Sequence, residues 1–116
     1  PNKELYKIHK ISDVAVIPSI FEEPFGLTVI EAMASGLPLI TSDAGAIPDI
    51  VDEDNAIIVK RGAEFVDGLS VALDKLVCDK ELREKMAKHS EELVKEYDTP
   101  NYFDNFCEIF ENMKNI

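Results

Sequence analysis

Two acids flank a glycine-bearing turn: Glu23 and Glu31, with seven residues between them. The stretch reads Glu22-Glu23-Pro24-Phe25-Gly26-Leu27-Thr28-Val29-Ile30-Glu31-Ala32-Met33-Ala34-Ser35-Gly36. A strand-like run, Val14-Ala15-Val16-Ile17, comes before it. After the turn, Leu27, Ile30 and Ala34 share one face of a helix, with Met33 beside them. A strand, a glycine turn and a helix start present backbone N–H groups, here those of Phe25, Gly26 and Leu27, at the positive end of a helix dipole. Such a place suits phosphate. Carboxylates repel phosphate, so Glu23 and Glu31 must serve neutral groups on either side of it. An ionised carboxylate accepts hydrogen bonds from adjacent hydroxyls. Sugar, then diphosphate, then ribose is the ligand that fits, and that is a nucleotide-sugar.

The same residues resemble a known family. Pro18-Ser19, Glu23-Pro24-Phe25-Gly26-Leu27, the run from Glu31 to Pro38 and the run from Ala44 to Val51 look like the C-terminal, donor-binding part of a retaining GT-B glycosyltransferase of the family 4 (group 1) type. Glu23 and Glu31 reproduce its paired-glutamate motif. The resemblance covers almost the whole chain and weakens after Val59. It implies that Glu23, in the catalytic position, meets the hydroxyls of the donor sugar as a donor-positioning group. It implies that Glu31 holds the ribose. The amides of Phe25, Gly26 and Leu27 and the hydroxyl of Thr28 would hold the sugar and diphosphate. The implied reaction moves a sugar from a nucleotide-diphosphate sugar to an acceptor with retention, in surface polysaccharide or glycoconjugate synthesis. No cofactor and no metal are implied. The expected location is cytoplasmic, with the inner face of the membrane as an option for the full-length protein.

Composition bounds these readings. At 116 residues the chain is one domain, and a hydrophobic fraction of 46% is enough for a core. The sequence starts at Pro1 without a methionine or a signal peptide, which reads as a truncated C-terminal nucleotide-sugar-binding domain spanning 1–116. The partner of that reading is a missing N-terminal acceptor domain. A net charge of −11 argues against nucleic acid and against anionic membrane surfaces. No Lys or Arg occurs between Lys10 and Lys60, so cations for a diphosphate are expected from residues upstream of Pro1. Cys78 and Cys107 form neither a disulfide framework nor a metal spacing and read as reduced thiols. His9 and His89 stand alone on helices and read as solvated or core histidines.

The elements needed to position the site follow in order. Asn2 caps a first helix whose buried stripe is Leu5, Ile8 and Ile11. Val14 to Ile17 lacks polar alternation, the pattern of a strand buried on both faces. Gly36 and Pro38 stop the central helix. Leu39-Ile40-Thr41 is a second strand, with Ser42 to Gly45 leaving its carboxyl end, where open α/β sheets bind ligands. Ala46 to Val51 is a short helix, with Pro48 near its start. Asp52 to Asn55 is an acidic turn, and Ala56 to Val59 a third strand. Ala56 stands where the family has glycine. Phe65, Val66, Leu69, Leu73, Leu76 and Val77 repeat at helical spacing. Asp79 caps a further helix, with Leu82, Met86, Leu93, Val94 and Tyr97 on its stripe. Thr99-Pro100 opens a last helix carrying Tyr102, Phe103, Phe106, Ile109, Phe110 and Met113. The expected fold is α/β: a three-layer Rossmann-like half-domain with a parallel sheet flanked by helices.

Other readings compete. Each acid alone is an ordinary surface residue, and the small residues of the central helix suit close packing. Paired carboxylates also suit a glycoside hydrolase, acid plus nucleophile. The phosphate-type helix start between them puts that second. A nucleotide-sugar-binding or self-associating module without turnover of its own is the non-enzymatic alternative. Self-association would run through an exposed sheet edge at Val14–Ile17, closing two copies into a homodimer.

Overall fold

A computed structural model describes residues 3–21 and 26–97. Its elements are α1 (Lys3–Lys10), β1 (Ala15–Ile17), α2 (Leu27–Ala34), β2 (Leu39–Ser42), α3 (Ile47–Ile50), β3 (Ala56–Val59), α4 (Phe65–Cys78) and α5 (Lys80–Val94). The three strands run parallel in the order β1-β2-β3. Ile17 pairs with Thr41, and Thr41 in turn with Ile58. Parallel pairing requires crossovers, and α2 and α3 supply them. The strands are short and apolar because helices cover the sheet on both faces.

Two cores result. On one face Ile17, Leu39 and Ala56 pack with Val29, Ile30, Ala32 and Met33 of α2 and Ile47 and Ile50 of α3. On the other, Ile40 and Val59 pack with Ala72 and Leu76 of α4 and Met86 of α5. α5 joins the two, since Leu82 and Met86 sit in the second core while Leu93, Val94 and, just past its end, Tyr97 reach the first. Buried Ser90 fixes its middle. Its Oγ donates to the Leu37 carbonyl at 2.7 Å and accepts from Asn55 Nδ2 at 3.2 Å. Leu37 and Asn55 lie just before β2 and β3, so α5 crosses the amino ends of the strands.

Local signals account for the element ends. Gly36 adopts φ 71° after α2. Leu37 N–H donates to Ala32 O at 3.3 Å and Gly36 N–H to Met33 O at 3.0 Å, the paired bonds of a Schellman stop. A Cβ on Gly36 would lie 2.6 Å from Glu91 Oε1. Asp79 caps α5 as its sequence predicts, its Oδ1 accepting from Leu82 N–H at 2.9 Å. Ala56 closes the acidic turn without strain. Its N–H donates to Asp52 O at 3.0 Å, and among the described residues no non-glycine has positive φ.

Three sequence expectations give way. β1 is not buried on both faces: Val16 is 44% exposed, because β1 is an edge strand of the described sheet. Ile8 and Ile11 of the first helical stripe are 56% and 84% exposed, so these two are not buried as expected. On α4, Val66, Leu73 and Val77 face outward while Ala72 and Leu76 are buried, because one face of the sheet receives only a narrow stripe of the helix. The helix expected from Thr99-Pro100 lies outside the described residues.

Candidate functional site

All three strands point their carboxyl ends the same way, so the loops after β1, β2 and β3 share one edge of the sheet. That edge is where open α/β sheets take ligands. Gly26 lies on it, immediately before α2. It is buried at φ 64° and ψ 28°, in the left-handed region that side chains disfavour. A Cβ there would collide with Ile50 Cδ1. Backbone conformation therefore favours glycine strongly, and any side chain would also have to displace the end of Ile50. The Gly26 carbonyl accepts from Ile30 N–H at 3.0 Å, which starts the helix ladder. Among the described residues no side chain caps α2, and no acid lies in its first turn.

Of the residues singled out from sequence, Gly26, Leu27, Thr28 and Glu31 come together on the first turns of α2. Leu27 is half-buried and Thr28 exposed, with Val29 and Ile30 turned into the core. Glu31 is half-buried and shares a stripe with Thr28 and Ser35. Its backbone carbonyl accepts from Ser35 N–H at 3.2 Å and Ser35 Oγ at 3.1 Å. With Ile30, Ala34, Val94 and Tyr97, Glu31 lines an open cleft of about 500 Å³ between α2 and α5. Glu23 and Phe25 lie outside the described residues.

Three partners were not legible as such in the sequence. Asp43, after β2, and Arg61, after β3, meet across the carboxyl edge: Arg61 Nε–H donates to Asp43 Oδ1 at 2.8 Å, and Arg61 N–H to the same oxygen at 3.2 Å. The hydrogen bond from the Arg61 guanidinium, helped by that from its amide, lowers the pKa of the Asp43 carboxyl. Ile50, which abuts Gly26, is the third. Nothing in spacing marks a pair 18 residues apart. The only available signal was that the exits of β2 and β3, neighbours at this edge, carry one each.

The histidines are not isolated. His9 Nδ1 lies 3.2 Å from Ser35 Oγ, linking α1 to the end of α2. His89 Nε2 lies 2.9 Å from Asp52 Oδ2. That bond raises the His89 pKa, with burial opposing it. On Asp52, burial pushes upward but the His89 bond and the Asp54 amide outweigh it, so its pKa is lowered. Asp52, Asp54 and His89 bring three donor atoms within 4.8 Å. The ion pair accounts for this arrangement. Among the described residues no helix is long and apolar enough to cross a membrane.

The chain thus presents a parallel α/β sheet with a left-handed glycine before α2 at its carboxyl edge and a half-buried acid one turn into that helix. The family profile described as glycosyl transferases group 1 matches residues 1–93, and the chain belongs to that family. It is 40% identical over 99 residues to sulfoquinovosyl transferase SQD2 of Arabidopsis thaliana, covering 82% of this chain and 19% of that protein. It is 28% identical over 112 residues to a D-inositol 3-phosphate glycosyltransferase of Corynebacterium kroppenstedtii, covering 97% of this chain and 24% of the relative. Among solved structures, the C-terminal domain of the group 1 glycosyl transferase LpcC of Francisella tularensis superposes with a TM-score of 0.67 at 35% identity. That match covers 82% of this chain and 48% of the other. Sucrose-phosphate synthase of Thermosynechococcus elongatus shares the fold, with a TM-score of 0.74 at 24% identity, over 93% of this chain and 27% of that one. The fold is the Rossmann-like α/β fold of GT-B enzymes. The chain spans 19% and 24% of the length of these two curated relatives.

Proposed function

We propose that this chain forms the donor side of a retaining, family 4 glycosyltransferase site, binding a nucleotide-diphosphate sugar at the carboxyl edge of its sheet. The observation that carries the reading is the start of α2: buried left-handed Gly26, no side-chain cap from the described residues, and half-buried Glu31 one turn further on. The helix amides meet the diphosphate, with Thr28 beside them. Glu31 accepts hydrogen bonds from the ribose hydroxyls. Glu23 accepts from the donor sugar and sits by the reacting carbon. Cations that offset the diphosphate come from a further domain, which also brings the acceptor, in glycoconjugate or polysaccharide synthesis. The chain on its own therefore turns over no donor.

Kinetics of the full-length protein test the assignment. Glu31→Ala should raise the donor KM, and Glu23→Ala should mainly lower kcat. Each hydrogen bond from a hydroxyl to a charged acceptor is worth roughly 1.5–3 kcal/mol. A Glu31→Ala enzyme with wild-type donor KM would remove the ribose assignment.

A further inference from the structure

We infer that Asp43 and Arg61 are positioning residues for the donor site, acting through the β2 exit turn and α3 on the seat of Gly26. The inference rests on the donor-site reading above. A continuous series of contacts carries it. Arg61 grips Asp43 Oδ1 twice, through Nε–H at 2.8 Å and its own backbone N–H at 3.2 Å. One carboxylate oxygen thus ties the loop after β3 to the turn after β2. The turn is pinned again inside, where Ala44 N–H donates to Ser42 Oγ at 3.2 Å. Ala44 and Ile47 are fully buried beneath it, so the turn and α3 move together. α3 ends at Ile50, whose Cδ1 occupies the space a side chain at Gly26 would need. From behind, Tyr97 Oη–H points at the last α3 carbonyls, 3.3 Å from Asp49 O and 3.4 Å from Ile50 O. Ile50 is therefore a backstop held at both ends, and the start of α2 rests on it.

The side chains of Asp43 and Arg61 are each 32% exposed, so their attraction is partly screened and contributes little to overall stability. What the pair supplies is geometry. A site that works by aligned amides loses affinity when its supporting elements shift by a fraction of an ångström. Arg61 is committed to Asp43 and is not assigned to the diphosphate.

The test uses the full-length protein and the variants Asp43→Ala, Asp43→Asn and Arg61→Ala, with Glu31→Ala alongside. Donor KM, acceptor KM and Tm are measured for each. Asp43→Ala and Arg61→Ala should each raise donor KM roughly 3- to 10-fold and leave acceptor KM within about twofold. The double variant should be no worse than either single one, since both break the same interaction. Asp43→Asn keeps an acceptor oxygen for both N–H groups and should recover part of the loss; it also serves as the test if Asp43→Ala does not fold. A fall in Tm with donor KM unchanged, while Glu31→Ala raises it, overturns the inference and leaves the donor-site reading standing. Donor KM unchanged in all the variants, Glu31→Ala included, overturns both.

Discussion

Gly26 carries the sharpest demand of any single residue at the site. Its φ of 64° is unfavourable for any side chain, and Ile50 fills the space beside it. Gly26→Ala should lower stability by roughly 1–2 kcal/mol from the left-handed conformation alone, with crowding added. Thermal denaturation measures this directly. A variant as stable as wild type would mean that the turn relaxes into another conformation. Glu31 makes the opposite kind of demand. The fold does not need its carboxylate, which lies on a helix whose other residues between Leu27 and Gly36 are uncharged. That half-buried carboxylate has no structural partner among the described residues, which leaves it available for the ribose contact proposed above. That contrast was readable in the sequence, because a lone charge in an apolar helical run stands out. Asp43 was not readable, since an Asp in an exit loop looks like any other turn residue until its Arg is placed against it.

At the scale of elements, α5 does most to hold the layers together. It bridges both cores, crosses the amino ends of the strands at Ser90, and borders with its last turn the cleft that Glu31 lines. Besides Ser90, it is fixed to the acidic turn by His89 and Asp52. The pH dependence of this clasp follows from the two shifts. His89 is raised above 6.5, so its contribution is complete below that value and is lost as pH rises through its folded pKa. Asp52 is lowered below 3.8, so its contribution is complete above that value and is lost as pH falls through its own folded pKa. The clasp is therefore strongest between these limits. Raising the pH from about 6 to 8 should weaken the domain by less than roughly 1 kcal/mol, as befits a partly exposed pair. Denaturant titrations of wild type and His89→Gln check it: the variant should lose this part of the pH dependence. An identical slope in both would exclude His89. Strand and helix order was legible because each strand is a short, mostly apolar run between turn residues, and because α3 and α5 begin at a proline and an Asp cap. The exposure of α1 and of β1 was not. Apolar residues announce that they need cover, but a sequence does not say whether the cover lies within it.

For the molecule as a whole, the exposed residues Ile8, Ile11, Val16, Ile20 and Phe21 belong to α1, β1 and the loops that follow them, around one end of the sheet. β1 has no strand on its outer side among the described residues. As a separate polypeptide the chain should pair there with a second copy, two β1 edges meeting antiparallel about a two-fold axis. The net charge of −11 opposes this at long range, but the Debye length of about 8 Å at physiological salt leaves short-range backbone pairing intact. Sedimentation equilibrium should show a concentration-dependent dimer that Val16→Lys abolishes. A monomer at every concentration would mean that the edge is covered.

The central claim is that the start of α2 and Glu31 form the donor site, and donor affinity tests it most directly. Calorimetric titration of the full-length protein with uridine-, guanosine- and adenosine-diphosphate sugars should find one that binds. Glu31→Ala should weaken that binding by roughly 1.5–3 kcal/mol for each ribose hydroxyl that Glu31 holds, with the fold intact by circular dichroism. A folded Glu31→Ala protein that binds the same donor as tightly as wild type would contradict the account.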